Sequence, residues 1–430
     1  MNFEPLEPRR MLAGVTLLTH GFLGNINGWV KSVADGIVTR AGGRQSASQY
    51  VMRVDRNSAG SLAVTSFTLE RGSSDARTTR AAEIIIKLDW SRVSGGSVST
   101  TQVGNVVGDF LRRGNSLTPT LTSVPLQLIG HSRGASLNVA ISQYLGRLGI
   151  FVEQNTFLDP VPLNSFPFDF GDAAMNVFDN VAFSDNYWRS NGNPISVEPN
   201  GRSVNGTYQG NLNQTVQVVN SGSPHNSVPA YYFGTINYTA TTDGVATIFP
   251  SWYGINNDRP PRDRTGYLFS RIMNGTRPAN GVGIAYGGTA RRVGAGQSSA
   301  GQWPNLTDLS VLEGSSISAG QNITLRFLRQ DRDSTASYEF FLDNDQNPFN
   351  NTNASVFKLT GRTFSQADAI TATRLAARTV GAAPGTYFVY CKTADPGGRI
   401  RFAYSTRTLT LRTPTSGQLF ASLSAGKVTA

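Results

Sequence analysis

Four short apolar runs constrain the first part of this chain more than any other feature. They are VTLLT at 15–19, EIIIKLDW at 83–90, VPLQLIG at 124–130 and FVEQNTFLDP at 151–160. Strands that are apolar along most of their length, rather than alternating, need cover on both faces. The intervening segments can supply it. Residues 28–41 place Trp29, Val30, Val33, Ile37 and Val38 at helical spacing, and 101–113 do the same with Val103, Val106, Val107, Phe110 and Leu111. A third helix is expected over 133–147. Strand, helix, strand, helix predicts an α/β fold with a mostly parallel sheet. Alternating segments around 50–70 read as a hairpin insertion. From 164 to 214 the pattern fades into Asn/Gly/Ser-rich loop, closed by a short strand at 214–219 (QTVQVV), with His225 in the turn beyond. Residues 240–305 are irregular and rich in Gly, Arg and Pro.

From 306 the period changes. NITLRFLRQD, SYEFFLDND, SVFKLTG, ITATRLAAR, GTYFVYCKTAD and RIRFAYSTRTLTL alternate and are separated by turn residues. That pattern predicts an antiparallel β-sandwich. The expected organisation is an N-terminal segment at 1–12, an α/β domain at 13–305, an all-β sandwich at 306–413 and a tail at 414–430.

Composition excludes several classes. The chain has 430 residues, enough for two domains, and a net charge of +10. The basic residues are scattered rather than run together, which reads as a solvated basic surface and not as a nucleic-acid site. Cys391 is the only cysteine, so neither an internal disulfide nor a thiolate metal cluster is available. No run of 18 apolar residues is present, so no transmembrane helix is expected. The chain calls for no cofactor.

Gly130-His131-Ser132-Arg133-Gly134 fits G-x-S-x-G. A chain with 45 glycines can carry that pattern by chance, and a plain helix N-cap serine would look the same. Context separates the readings. A strand precedes Ser132 and a helical run follows, as a nucleophile on a strained strand-to-helix turn requires. Glycines at 130 and 134 would let neighbouring backbone approach. A serine nucleophile also needs an imidazole base and a carboxylate to orient it. The chain has three histidines. His131 lies inside the motif and His20 follows the first strand, which leaves His225 as base. Asp159 ends the strand after the motif helix. Asp185 is its main rival, with Asp172 and Asp179 behind.

Together, VTLLT–HGF, LQLIG–HSRG, FLDP and PHN resemble the α/β-hydrolase superfamily, lipase-like branch, over residues 12–235. The resemblance implies an α/β-hydrolase sheet and a Ser132–His225–Asp159 triad, with Asp159 in the place of the acid in the L-D-P-A motif of pancreatic-type lipases. It implies an oxyanion hole from the backbone N–H groups of Phe22 and Arg133, with His20 holding the H-G-x loop. The start near residue 12 leaves no room for the usual leading antiparallel strands, and no lid or cap is recognisable. The expected activity is that of a serine ester hydrolase acting on a small molecule, lipid or acylated polymer. The alternative is a non-catalytic envelope or adhesion protein on the same scaffold.

Two smaller features complete the reading. Leu6-Glu7-Pro8-Arg9-Arg10-Met11-Leu12 resembles the L-E-P-R-x-L-L sequence at the N-termini of large planctomycete envelope and extracellular proteins. It implies a bacterial, exported protein. The sandwich resembles the Ig-like or fibronectin-like modules of extracellular bacterial enzymes, with an extracellular polymer as a partner. Asp343, Asp345 and Asn347 have alternate spacing, but Pro348 stands where an EF-type loop needs glycine, so an acidic turn is expected there rather than calcium.

Overall fold

In the computed structural model, residues 14–43, 47–72, 83–113, 121–165, 168–189, 200–208, 224–254, 262–270, 272, 292–296, 303–331, 333–344 and 357–414 are described. The chain divides into two compact units, Met1–Gln297 and Ser298–Ala430.

The first unit is built on strands β1 (Gly14–Thr19), β2 (Ala47–Arg56), β3 (Leu62–Arg71), β4 (Glu83–Asp89), β5 (Leu126–His131), β6 (Val152–Leu158), the two-residue pair β7 (Asn164–Ser165) and β8 (Phe168–Asp169), and β9 (Val181–Tyr187). Its helices are α1 (Trp29–Arg40), α2 (Ser91–Ser94), α3 (Thr100–Arg113), α4 (Arg133–Arg147) and α5 (Pro224–Gly234). One seven-stranded sheet runs β3-β2-β4-β1-β5-β6-β9. Every neighbouring pair is parallel except β2 and β3. Helices α1 and α5 cover one face, while α3 and α4 pair on the other. Buried on both sides, β1, β4 and β5 show no exposed position. That burial explains their unbroken apolar sequences; each large aliphatic side chain so placed contributes about 1.5–3 kcal/mol.

Three local expectations are corrected. The 50–70 segment is no insertion: β2 inserts into the main sheet beside β4, and β3 forms its antiparallel edge. The stretch read as loop from 164 contains β9, which extends the sheet past β6. Ser184, Asp185 and Asn186 disguised it, because polar residues in a fully buried strand break the hydrophobic signal. His225 is not in a turn but is the second residue of α5. That helix is buried nearly all round and contains Pro229, so it shows no amphipathic period. The strand expected at 214–219 lies outside the described residues.

The second unit is all β, with β10 (Asn305–Val311), β11 (Ser316–Ser318), β12 (Asn322–Asp331), β13 (Ala336–Asp343), β14 (Phe357–Phe364), β15 (Ala367–Arg378), β16 (Gly385–Ala394) and β17 (Ile400–Arg412). One sheet runs β10-β12-β15 and the other β11-β17-β16-β13-β14. Inward residues of both, among them Leu325, Phe327, Tyr338, Phe340 and Cys391, share one apolar core. Asp343 is buried and accepts a hydrogen bond from Tyr404 Oη at 3.0 Å. Asp345 and Asn347, the other two residues of that spacing, lie outside the described residues.

Candidate active site

Parallel register brings distant residues to one edge of the sheet. Thr19 is level with Leu88 and with Gly130, His131 with Leu158, and Leu158 with Tyr187. The residues leaving the carboxyl ends, His20, Asp89, Ser132 and Asp159, therefore emerge side by side. Chain order also reverses around β1, whose neighbours are β4 and β5. Carboxyl strand ends at such a reversal form the crevice where open α/β sheets bind ligands.

Ser132 sits between β5 and α4 with φ 58° and ψ −126°. A non-glycine residue there stores about 1–3 kcal/mol of strain. The surroundings hold it in place. Its N–H donates to Leu158 O at 2.9 Å, and Val161 N–H donates to Ser132 O at 3.2 Å. The glycines of the motif serve close approach. A Cβ at Gly130 would lie 2.5 Å from Gly134 O, and one at Gly134 would lie 2.5 Å from His20 O and 2.6 Å from Thr19 O. Gly21 faces the serine: a Cβ there would lie 2.6 Å from Ser132 Cβ.

His225 Nδ1–H donates to Asp159 Oδ2 at 2.6 Å. Asp159 is itself at φ 46°, a left-handed conformation that aspartate tolerates better than most residues. Its other oxygen, Oδ1, accepts from Arg189 N–H at 2.7 Å. The pair is almost wholly buried, with side-chain exposures of 10% for His225 and 1% for Asp159. Asp185 is placed elsewhere. It lies within β9 and accepts from Thr156 Oγ1 at 2.7 Å and Gln154 Nε2 at 3.1 Å. Asp179 Oδ1 accepts from Ala295 N–H.

The other two histidines are braces. His131 Nε2–H donates to the carbonyl of His225 at 3.1 Å, and the two rings lie 4.3 Å apart. Burial, helped by the nearby His225, pushes the His131 pKa down to about 3, so it stays neutral and keeps that donor. His20 Nδ1–H donates to Gly21 O at 2.9 Å, its Nε2 accepts from Trp90 N–H at 3.4 Å, and its ring stacks on the Trp90 indole. Burial lowers its pKa as well. A neutral His20 thus fixes the turn carrying Phe22.

Ser132, His225, His131, Phe22, Trp29 and Asn226 line one cleft of about 210 Å³. Phe22 is 39% exposed and packs on Phe170. Arg133 opens α4, where first-turn N–H groups lack intrahelical acceptors. Its guanidinium was not legible in the sequence. It is fully buried and pairs with both oxygens of Asp172, at 2.8 Å from Nε and 2.7 Å from Nη2. It also donates to Ser94 O and Val98 O and lies against Trp90 and Phe170. Asp172, a rival acid in the sequence, is committed to that cation. The signal available was an arginine at the turn between an apolar strand and a helix, a buried place that demands a counter-ion.

No family model matches the chain, and no curated protein matches it. Among solved structures, a superoxide reductase (neelaredoxin) from Ignicoccus hospitalis is similar over 26% of this chain and 81% of its own, at 11% identity and a TM-score of 0.18. The PKD domain of an M14-like peptidase from a Thermoplasmatales archaeon covers 26% of this chain and 94% of its own, at 15% identity and 0.16. Macromomycin covers 25% of this chain and 99% of its own, at 11% and 0.17. Overlaps this slight carry no argument about function. Among the described residues there is no cluster of His, Cys, Asp and Glu suited to a metal ion, and no helix is long and apolar enough to cross a membrane.

Proposed function

We propose that the chain is a serine ester hydrolase on an α/β-hydrolase scaffold. The observation that carries this reading is the 2.6 Å contact between His225 Nδ1 and Asp159 Oδ2, made where His225 and a positive-φ Ser132 line the same cleft. Asp159 orients the ring and leaves Nε2 as the base. Ser132 Oγ attacks the acyl carbonyl as Nε2 takes its proton. The N–H groups of Phe22 and Arg133 receive the oxyanion. Nε2 returns the proton to the leaving alcohol, and water then cleaves the acyl-enzyme by the same route.

The cleft is smaller than the roughly 300–1,000 Å³ of drug-sized pockets. It suits a short acyl group. Ser132→Ala in the full chain should lower kcat toward p-nitrophenyl acetate by about 10⁶-fold with the fold intact. Turnover unchanged by that substitution, or none by the native protein on any ester, would favour a non-catalytic scaffold. Export from a bacterial cell is part of the same proposal; the Leu6–Leu12 motif lies outside the described residues.

A further inference from the structure

The open face of the β10-β12-β15 sheet carries a charge arrangement that the fold does not require. Alternate residues of β12, namely Ile323, Leu325 and Phe327, point into the sandwich core. The intervening Arg326 is exposed, and so are Arg374 and Arg378 on β15. Register places Arg326 directly opposite Arg374. Like charges directly opposite on neighbouring strands destabilise a sheet. Arg378 is four residues along the same strand and face, about 13 Å away at 3.3 Å per residue.

Several other cations of this unit are neutralised or occupied. Arg399 pairs with Asp395 and Asp333, Lys358 with Glu339, and Arg401 donates to Asn305. Among the described residues, the guanidinium groups of Arg326, Arg374 and Arg378 have no ion-pair or hydrogen-bond partner. The nearby Glu313 carboxylate accepts from Thr324 N–H at 2.8 Å. Between and beside the arginines, Thr324 stands opposite Ala376, and Ala372 stands opposite Leu328.

We infer that this face binds an extended acidic polysaccharide through Arg326, Arg374 and Arg378. Guanidinium groups match carboxylate and sulfate in two-point geometry. The small residues leave a shallow track along β15 on which an extended chain can meet the cross-strand pair and then Arg378. The described face offers no aromatic ring for stacking nucleobases and no large apolar cluster for a bilayer. A polymer with an anion on each sugar, or on every second one, fits best.

The test is binding of the full chain to alginate in low and moderate salt, with dextran as the neutral control. Alginate should bind, dextran should not, and salt should weaken binding. R326S/R374S/R378S should weaken alginate binding about ten- to a hundredfold, as loss of three exposed ion pairs would. Its melting temperature should hold or rise, because the like-charge pair is gone. R56S/R113S/R147S removes the same charge from exposed positions of the first unit and should leave binding unchanged. Equal weakening by both variants would reduce the effect to net charge and overturn the proposal. So would no binding of alginate, or tighter binding to single-stranded DNA or anionic vesicles.

Discussion

Asp172→Asn tests how the turn around Ser132 is held. Arg133 and Asp172 have side-chain exposures of 0% each. Asp172 also accepts from Thr100 N–H at 3.0 Å and Leu163 N–H at 2.9 Å, so one carboxylate ties the start of α3, the 163–172 segment and the start of α4 together. The asparagine is nearly isosteric, so packing is kept. What changes is charge: a buried guanidinium loses its counter-ion, and the amide nitrogen has only donors facing it. Removing one partner of such a pair costs about 3–5 kcal/mol. In a unit of this size that lowers the melting temperature by roughly 6–20 °C. Circular dichroism melts of native and variant chains at one protein concentration measure it. The double change R133M/D172L removes both charges and should recover much of the loss. A D172N melting temperature within about 2 °C of native, the lower limit for 1 kcal/mol, would refute the assignment of Arg133 as a buried cation dependent on this acid.

Four further outcomes follow from the same geometry. Asp159→Asn leaves His225 without its carboxylate and should lower kcat about 10⁴-fold with little change in KM, while Asp185→Asn should alter stability without that split. Gly134→Ala drives a Cβ to 2.5 Å from His20 O and should cost about 1–3 kcal/mol and most esterase turnover, read by melting and by p-nitrophenyl acetate. Glu83 is fully buried, and desolvation raises its pKa to about 8 despite hydrogen bonds from Thr16 and Tyr267. The unfolded chain ionises first, so stability is full below about pH 4.5 and falls as pH rises toward 8; Glu83→Gln should therefore gain melting temperature over native as pH rises through that window. His131 has the opposite sense: its pKa is held at about 3 in the fold, so protonation favours the unfolded chain and stability falls as pH drops from 6.5 toward 3, a loss that His131→Gln should flatten in pH-dependent melts.

The sequence was most legible where local pattern and burial agree. Helix α4 spans Arg133–Arg147, as the spacing after Ser132 predicts, and β1, β4, β5 and β6 coincide with the four apolar runs. In the sandwich, strict alternation marked most strands because only one face is buried. Legibility failed where burial is complete but polarity is high. Ser184, Asp185 and Asn186 of β9 are all buried, and Ser184 Oγ donates to Asn155 O of β6; buried polar residues hide β9 from any hydrophobicity pattern. Helix α5 failed for the converse reason, since burial on most sides erases period. The site was half legible. The places of Ser132, Phe22 and Asp159 beyond their strands follow from motif position, whereas Asp172, the partner of Arg133, lies 39 residues away and no local pattern names it. Sequence could rank Asp159 against Asp185 but not separate them; the fold does so spatially, by placing one beyond a strand end and the other within a strand.

Ser132 is proposed as an activated nucleophile. Its most direct test is reaction of the folded full chain with a fluorophosphonate, followed by peptide mass spectrometry. One covalent adduct per chain is expected, on Ser132, with labelling abolished by Ser132→Ala and slowed strongly by His225→Gln. An intact, folded sample that takes no label, or takes it equally after Ser132→Ala, would contradict it.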